Sequence, residues 1–549
     1  MAQSTMAPDS PHAEPRPEPA HSSTASRVAP PGPASQPPRP APANRPPAET
    51  NSALPFPRPQ TVSPRVLLGL AGLSALLFFC TALWVYQGID YHIRFYYLNI
   101  TYVPILSCIA FILFCAHIFD RPGLRSPWRI GMTLLLFALI PRLFWVFLGD
   151  TQQVSDFLAY HTAATQLSAG TFVPDYAFSM FPFKLMYSWV LSRFYRVFGA
   201  QVVVAQVINL AAAVALLLEV YLLARRVWSE ATARMAGLLF SIWPSQLFYS
   251  SVVATEHLFA SLLLGSCVAV CALTPTASFR RQLGMAALAG GLAGLANSLR
   301  PVALMMLPCV VGHLCFFAFP AHRPLALWRR KAGLAAIIGA TAALSFMAIT
   351  LPASQQTGVP CWRASMGFSL LSGTNPQSRG HWSDVDAAQV AHLASAGFDA
   401  YHGKSLSIAT ARIRENPAGM LGLMASKLQE FWRDDSFGVE WGVSNLQATT
   451  PIAKIIKQKL WTLFSLSHVF YCSLLIFSGV TCVFYWQTLY PAGLLLLLLL
   501  AHAVSFSLLE IQSRYHYFAD LLMFVLASRS LTALLDGIRQ RWPTPARLR

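Results

Sequence analysis

The chain has 549 residues, of which 55% are hydrophobic and only 11% are charged, and its formal net charge is +17. So large an apolar fraction cannot be buried in one soluble core of ordinary proportions, which predicts a polytopic membrane protein. The positive charge does not indicate a nucleic-acid partner, because the basic residues are spread over loops beside apolar segments and form no continuous stripe.

The first segment of the chain differs in composition from the rest. Residues 1–65 hold 18 of the 38 prolines and almost no aliphatic runs. Such a segment cannot bury enough apolar surface to offset the entropy lost on ordering, so we expect a disordered, Pro-rich tail. It does not resemble a cleavable signal sequence, which has a basic region followed directly by an apolar stretch near residue 1.

Apolar segments follow, each close to the roughly 20 residues that cross a bilayer as a helix. We predict about 12 transmembrane helices, near 66–87, 98–118, 129–149, 201–224, 234–251, 256–273, 283–299, 301–319, 333–353, 461–485, 489–508 and 515–535. The stretch 182–199 is also apolar but carries interspersed Lys and Arg. We interpret it as part of a set of amphipathic juxtamembrane helices in the first large outer loop.

The short loops indicate the orientation, because Lys and Arg resist translocation and stay on the cytoplasmic side. With twelve spans the basic clusters all fall on one face: Arg121, Arg125 and Arg129; Arg225, Arg226 and Arg234; Arg280 and Arg281; Arg323, Arg329, Arg330 and Lys331; Arg539, Arg541, Arg547 and Arg549. Both termini are then cytoplasmic. Counting 182–199 as a further span would push the later clusters outside.

This topology predicts an all-α protein with six regions. They are a disordered cytoplasmic tail (1–65), two additional transmembrane helices (66–128), a transmembrane core (129–353) with an acidic outer loop (150–200), a helical outer-face loop domain (354–460), C-terminal transmembrane helices (461–535) and a basic cytoplasmic tail (536–549).

Two carboxylates at the outer membrane boundary suggest chemistry on a lipid-borne substrate. Asp156 follows the span 129–149, and Glu256 begins the span 256–273. Partial desolvation could raise the pKa of Asp156 toward the range of a general base. Each acid also has a structural interpretation, since Asp156 could cap the following helix and Glu256 could complement a helix dipole.

Three cations at the same boundary are candidates for binding phosphate: Lys184, Arg300 and Arg514. A guanidinium can bind phosphate oxygens through two parallel hydrogen bonds. Each of these side chains could instead extend to lipid head groups.

Four more residues complete the predicted substrate site. Arg142 lies inside a span, where a charge is costly, so we expect a buried acidic partner or the lipid phosphate beside it. Tyr160 lies one helical turn after Asp156 and can share its face. Asn375 and Trp382 belong to a Gly/Pro-rich turn in the outer loop, which suits sugar or acceptor binding, although the loop could equally be a lid packed on the spans.

Four segments, in this order, resemble the C-type glycosyltransferase superfamily, and within it the family-39-like enzymes such as protein O-mannosyltransferases and lipid A aminoarabinose transferases. They are the intramembrane Arg142 leading into 155–160, the stretch 181–199, the stretch 240–256, and 512–515 with its Arg-Tyr pair. The second segment keeps a single proline, Pro182, where the family usually has a pair.

The resemblance implies a glycosyltransferase of the inner (plasma) membrane. Such an enzyme moves a hexosyl or pentosyl group from a polyprenyl-phosphate donor to an acceptor hydroxyl on the periplasmic face, by inverting displacement, with Asp156 as the base and Glu256 as a second acidic group. The acceptor could be a glycan, a lipid or a protein, and membrane lipids are further partners. No cofactor is certain, since Asp156 and Glu256 could share a divalent cation or act without one.

Two other classes of protein stay open. A polysaccharide polymerase or ligase of related topology would depend on arginines in the outer loops and give Asp156 no essential role. A lipid-linked sugar flippase should carry functional polar residues near the bilayer midplane and usually an internal repeat.

Overall fold

The computed structural model describes residues 64–96, 102–119, 126–319, 325–393 and 395–541. The predicted N-terminal tail lies outside the described residues except for its last two positions, and the basic C-terminal tail lies outside them beyond Arg541. Arg121, Arg125 and Arg323, which contributed to the predicted orientation, also fall outside them.

Helices form most of the described chain. The first eleven are α1 (Pro64–Tyr96), α2 (Tyr102–Phe119), α3 (Pro127–Leu148), α4 (Ser155–Ala169), α5 (Tyr176–Met180), α6 (Leu185–Phe198), α7 (Val202–Val227), α8 (Glu230–Ser241), α9 (Pro244–Tyr249), α10 (Glu256–Val270) and α11 (Phe279–Leu299). The others are α12 (Met306–His313), α13 (Leu325–Thr357), α14 (Met366–Gly373), α15 (Asp384–Ala391), α16 (Phe398–Glu415), α17 (Pro417–Trp432), α18 (Pro451–Gln458), α19 (Leu460–Phe484), α20 (Gly493–Leu508) and α21 (Tyr517–Arg541).

Apolar helices make up the membrane-spanning body. Within the described residues, eight helical segments are long and apolar enough to cross a membrane: Pro64–Gln87, Pro127–Leu148, Val202–Val227, Pro301–Ala318, Leu327–Thr357, Leu460–Phe484, Tyr490–Leu508 and Ser513–Arg541. Two shorter apolar helices, Val103–Phe119 and Glu256–Val270, accompany them. The protein is therefore an all-α polytopic membrane protein, as predicted.

Two predicted spans differ from the structure: 283–299 lies in α11, which is among neither the eight long apolar segments nor the two shorter ones, and 234–251 is interrupted. The segment 234–251 is not one helix, because the chain leaves the helical conformation at Ile242 and Trp243 and restarts at Pro244. Proline disfavours the helical conformation of the residue before it and lacks the N–H that would continue the helix. The span is therefore divided into α8 and α9, and the break exposes the last carbonyl groups of α8 to side chains of other helices.

The C-terminal helix lies at the centre of the bundle. In the most apolar 18-residue stretch of Ser513–Arg541, 83% of the residues are buried inside the protein, compared with 22% in that of Leu327–Thr357. α21 packs on α7, α8, α10, α19 and α20, whereas α13 packs mainly on α11. Because α21 is surrounded by helices, any side chain at its N-terminal end is held on several sides.

The stretch 182–199 forms α6, which is not a candidate span. Its buried side chains include Leu185, Leu191 and Tyr195, while Phe194, Val197 and Phe198 remain exposed. α6 packs mainly on α4 and also contacts α7, α11 and α13. The predicted juxtamembrane position of these helices stays a prediction.

Candidate functional site

The acidic linker between α3 and α4 is held in place on both sides. The Thr151 hydroxyl lies 2.8 Å from that of Ser251, and the Gln153 side-chain carbonyl accepts a hydrogen bond from the Val253 N–H at 2.8 Å. On the other side, the Gln152 N–H donates to the Asn445 carbonyl at 2.9 Å. The linker therefore enters α4 in a fixed position.

Asp156 lies in the first turn of α4, directly after a strained residue. Ser155 has a φ of 52°, a left-handed conformation that is uncommon for a residue with a side chain. Each carboxylate oxygen of Asp156 has one cationic partner, with Lys184 Nζ at 2.9 Å from one and Arg514 Nη2 at 2.9 Å from the other. The Asp156 side chain remains 25% exposed, so a substrate can reach it.

The two cations decide the charge state of Asp156. Burial by itself raises the pKa of this carboxyl group, but the charges and hydrogen bonds of Lys184 and Arg514 outweigh that effect and hold the pKa well below its usual range. The expectation of a raised pKa was therefore wrong for the protein in this state. Asp156 is an ionised carboxylate and a weak base for as long as both cations contact it.

Glu256 forms a second pair at the N-terminus of α10. Its side chain is 2% exposed and lies 2.5 Å from Arg300 Nη2 and 3.7 Å from Arg514 Nε. Arg300 also donates to the Thr255 hydroxyl at 3.0 Å. Arg300 follows the last residue of α11, so the ends of α10, α11 and α21 meet here.

Arg514 connects the two acids, because its guanidinium contacts both Asp156 and Glu256. Its Cζ lies 4.8 Å from the ring centre of Phe157 and 5.7 Å from that of Trp441. Aromatic faces attract a guanidinium and limit its movement. A guanidinium thus supplies, between the two acids, the positive charge that a shared divalent cation would supply.

The polar segment before Arg514 also belongs to the site. Arg514 Nε donates to the Gln512 side-chain carbonyl at 2.8 Å, and Gln512 Nε2 donates to Glu510 Oε1 at 3.1 Å. Burial raises the pKa of Glu510. We did not predict Glu510 or Gln512, although polar residues at alternate positions before the last span were a visible signal.

Residues of the 354–460 region hold this segment in place. The Glu510 N–H donates to the Ser369 carbonyl at 2.8 Å, and the Ile511 N–H donates to the Gly380 carbonyl at 3.0 Å. The buried Lys427 donates to the Leu509 carbonyl at 2.7 Å. The loop domain therefore helps to fix the position of the residues that lead to Arg514.

Tyr160 is placed beside the cluster but is 5% exposed. Burial, and after it the charge of Asp156, raise the pKa of its phenol well above the ordinary value. Its ring makes an edge contact with Tyr187 at 5.5 Å between centres. Tyr160 is thus a neutral phenol that faces the charged groups.

Arg142 lies apart from the cluster and has a structural explanation. The buried guanidinium donates to the carbonyls of Phe240 and Ser241, both at 3.1 Å, and to that of Ala138 at 2.6 Å. It also bonds to the Gln246 side chain. The expectation of an acidic partner or a lipid phosphate was therefore wrong, because Arg142 satisfies the carbonyl groups exposed by the break between α8 and α9.

Asn375 and Trp382 lie in the loop domain and differ in accessibility. The buried Asn375 amide donates to Asp386 Oδ2 at 2.8 Å, which gives it a role in holding the turn. Trp382 is 41% exposed, and its ring lies 6.0 Å from that of Phe181, which in turn lies 4.7 Å from Lys184 Nζ. Trp382 is thus the one of the two that is open to a ligand.

The structure therefore brings together Asp156, Glu256, Lys184, Arg300, Arg514 and Tyr160, which come from segments far apart in the sequence. Two carboxylates face three cations at the ends of apolar helices. Such a group can bind an anion, and its partly exposed carboxylate can accept a proton.

No protein-family model matches the chain, and no curated protein is similar to it in sequence. Among solved structures, the oligosaccharyltransferase of Archaeoglobus fulgidus in its apo form is similar with a TM-score of 0.44 and 16% identity, over 76% of this chain and 52% of that chain. AglB from the same organism, in complex with an inhibitory peptide and a dolichol-phosphate, is similar with a TM-score of 0.43 and 15% identity, over 76% and 52% of the two chains.

ArnT from Cupriavidus metallidurans bound to undecaprenyl phosphate is similar with a TM-score of 0.33 and 16% identity, over 74% of this chain and 78% of that one. The chain spans about half the length of the archaeal structures that it matches. All three TM-scores are below 0.5, so the resemblance to the C-type glycosyltransferase superfamily stays a prediction from the sequence. Likenesses this weak assign neither a substrate nor a residue role to this chain.

Proposed function

We propose that this protein is a membrane glycosyltransferase that moves a sugar from a polyprenyl-phosphate donor to an acceptor hydroxyl. The observation that supports this most is the position of Asp156, a partly exposed carboxylate held between Lys184 and Arg514 beside the N-terminal end of the candidate span Ser513–Arg541. A lipid phosphate, a sugar and an acceptor can meet only where the ends of the spans are open to solvent.

The charges of the cluster suit a phosphate. Lys184, Arg300 and Arg514 carry three positive charges, and Asp156 and Glu256 carry two negative ones, so these five side chains leave one positive charge over when Glu510 beside them is protonated, the form that its burial favours. Preorganised cations stabilise the charge that develops on a leaving phosphate, and they do so most strongly in a partly desolvated site. Lys184 and Arg514 are the closest to the exposed acid and are the proposed contacts.

The same contacts provide a way to activate the base. As the leaving phosphate binds Lys184 and Arg514, their attraction for Asp156 weakens and the pKa of the carboxyl group rises. Asp156 then takes the proton of the acceptor hydroxyl while the hydroxyl oxygen bonds to the anomeric carbon. The bond from that carbon to the phosphate oxygen breaks, and polyprenyl phosphate leaves with the electron pair.

The remaining candidates have supporting roles in this proposal. Glu256 and Arg300 position Arg514, and Tyr160 faces the reacting groups as a neutral phenol. The exposed ring of Trp382 is the proposed surface for a sugar or acceptor, since aromatic faces pack on sugar rings. The proposed setting is a bacterial inner membrane, with both termini in the cytoplasm and the cluster on the periplasmic face. The acceptor is a glycan, a lipid or a protein.

Binding of undecaprenyl phosphate to the purified protein, measured by native mass spectrometry, tests the phosphate site. We expect Arg514→Gln and Lys184→Gln each to weaken binding on the order of tenfold, because each loses a charge-assisted hydrogen bond. Arg414→Gln is the matched control, since Arg414 is exposed on α16 in the loop domain. If all three variants bind like the unaltered protein, the cluster does not bind the lipid phosphate and the proposal fails.

A further inference from the structure

A second buried polar cluster lies at the start of α21, separate from the contacts of Asp156. It consists of Asp435, His516 and Asp520, all fully buried, whose nearest nitrogen and oxygen atoms lie within 4.8 Å of one another. Asp435 belongs to the turn after α17, so the cluster joins that turn to the central helix. Three ionisable side chains without access to water need a charge-balancing partner.

The hydrogen bonds of His516 indicate which ring nitrogen faces the acids. Nε2 lies 2.8 Å from the Asp434 carbonyl, which can only accept, so Nε2 carries the proton in a neutral ring. Nδ1 then presents a lone pair to both oxygens of Asp520, at 2.9 and 3.0 Å. In a neutral ring this contact is repulsive unless a cation lies between the two groups, whereas a charged ring, with a second proton on Nδ1, donates a hydrogen bond to Asp520.

Asp435 is oriented with one oxygen free. Its Oδ2 accepts hydrogen bonds from Trp243 Nε1 at 3.0 Å and from the Ser245 hydroxyl at 3.2 Å. Its Oδ1 is buried and has no N–H or hydroxyl donor among the described residues, although the Asp435 and Asp520 carboxyl groups are close enough to share a proton. Side chains that fix a carboxylate through one oxygen and leave the other free are typical of the residues that orient metal ligands.

An independent side chain points to a missing ligand at the same place. The Tyr471 ring stacks on that of His516, with centres 5.5 Å apart and planes 16° apart. Its hydroxyl is buried, has no hydrogen-bond partner within the part of the chain that the structure describes, and lies in the field of Asp520 and Asp435. A buried hydroxyl of this kind normally has a partner, which is a protein group, a water or an ion.

We propose that Asp435, His516 and Asp520 bind a zinc ion that fastens the turn after α17 to the N-terminal end of α21. Two carboxylates and a neutral imidazole balance the charge of a divalent cation, and nitrogen and oxygen ligands are those that zinc accepts. Ligand atoms about 2.0–2.2 Å from a tetrahedral zinc lie roughly 3.3–3.6 Å apart, so His516 and Asp520, at 2.9 and 3.0 Å, would separate by a few tenths of an ångström to admit it. Asp435 would move closer, since the three ligand atoms now lie within 4.8 Å of one another, and Tyr471 or a water would take the remaining position.

The role of this ion is structural and independent of the proposed reaction. His516 lies two residues after Arg514, so an ion at this site fixes the chain next to the proposed phosphate contact. The rival arrangement is a proton in place of the ion, shared between the buried carboxyl groups with a charged His516. The two arrangements differ in metal content, which can be measured directly.

Inductively coupled plasma mass spectrometry of the full-length protein measures its metal content and tests the proposal. The protein is purified without chelators from zinc-supplemented cells, and any affinity tag is removed. We expect about one zinc ion per chain, and a melting temperature that falls after prolonged chelation and recovers when zinc is added. Asp435→Asn and Asp520→Asn should each lose most of the bound zinc. Asp434→Asn is the matched control and should retain it, because the Asp434 carboxylate bonds to Ser436 instead.

Two results would overturn the proposal. One is an unaltered protein that contains no bound metal and whose melting temperature does not respond to zinc. That result would mean that a proton shared between the buried carboxyl groups occupies the place of the ion. The other is a metal content that Asp435→Asn and Asp520→Asn leave unchanged, which would place the ion elsewhere. The first measurement uses only the unaltered protein, so it decides the question even if the variants do not fold.

Discussion

At the scale of single residues, the pair formed by Asp156 and Lys184 controls the proposed chemistry. Lys184→Met removes one of the two charges that lower the pKa of Asp156, so this pKa should rise. Activity needs the ionised carboxylate and is lost as the pH falls through its pKa. The acidic limb of the pH profile of transfer should therefore move to higher pH in the variant.

The control for this prediction is Lys404→Met, which removes an exposed lysine from α16. It should leave the acidic limb of the profile where it is in the unaltered protein. An acidic limb that does not move in Lys184→Met would show that Lys184 does not set the charge state of the base.

Arg142 is expected to affect stability rather than substrate binding. Arg142→Met leaves the carbonyls of Phe240 and Ser241 buried without their donors. The expected loss of unfolding free energy is on the order of 3 kcal/mol. Thermal unfolding in detergent measures it, and the folded fraction should still bind undecaprenyl phosphate. Weakened lipid binding at full stability would contradict this explanation.

Several site residues were predictable because a charge at a membrane boundary is unusual in a chain this apolar. Asp156, Glu256, Lys184, Arg300 and Arg514 all have that property. Their pairing was not predictable, since Asp156 and Arg514 are separated by 358 positions and meet only through helix packing. The direction of the pKa shift of Asp156 depended on that pairing, which is why the sequence-based expectation failed.

At the scale of helices, α11 and α13 pack through glycines. A Cβ atom on Gly290 would meet the Ile338 carbonyl, and one on Gly294 would meet the Ala342 carbonyl. These residues are four apart and face the same neighbour, a common arrangement for close helix contacts in membranes. The contact fixes α11, whose last residue precedes Arg300.

Gly290→Ala and Gly294→Ala should therefore each destabilise the protein by about 1–3 kcal/mol, because α13 must move away. Gly291→Ala is a control on the same helix, since a Cβ there meets nothing within 4 Å. Thermal unfolding of the three variants distinguishes them. Equal effects at all three positions would mean that helix propensity, and not packing, determines the result.

The predicted helices agree with the structure where a single apolar run sets the element, as in α7, α19 and α21. The segment 234–251 was less predictable, because its average hydropathy conceals the interruption at Trp243 and Pro244. The proline was a signal for a break. The break is tolerated because Arg142, which lies on another helix, donates hydrogen bonds to the carbonyls that the break frees. The sequence around the break does not reveal this contact.

At the scale of the whole molecule, the basic clusters and the charged site lie at opposite helix ends. Arg280 and Arg281 are at the N-terminus of α11 and Arg300 follows its C-terminus, while Arg539 and Arg541 end the helix that Arg514 precedes. This arrangement supports the predicted cytoplasmic position of the basic ends.

Alkaline phosphatase fusions test the orientation. A fusion after residue 377, between α14 and α15, should be active because this loop is expected in the periplasm. A fusion after residue 276, between α10 and α11, should be inactive at equal abundance. The reverse pattern would place the charged cluster on the cytoplasmic face.

The most direct test of the transferase proposal uses a deletion strain that carries the unaltered protein, Asp156→Asn or Asp150→Asn at equal membrane levels. The cell-envelope glycans and the polyprenyl-phosphate sugars of these three strains are compared. Asp150 is the matched control, since it is an exposed acid at the end of α3. The unaltered protein and Asp150→Asn should restore a missing sugar, whereas Asp156→Asn should accumulate the lipid-linked form of that sugar. Full restoration by Asp156→Asn would contradict the role of this residue as the base and favour a polymerase or a flippase.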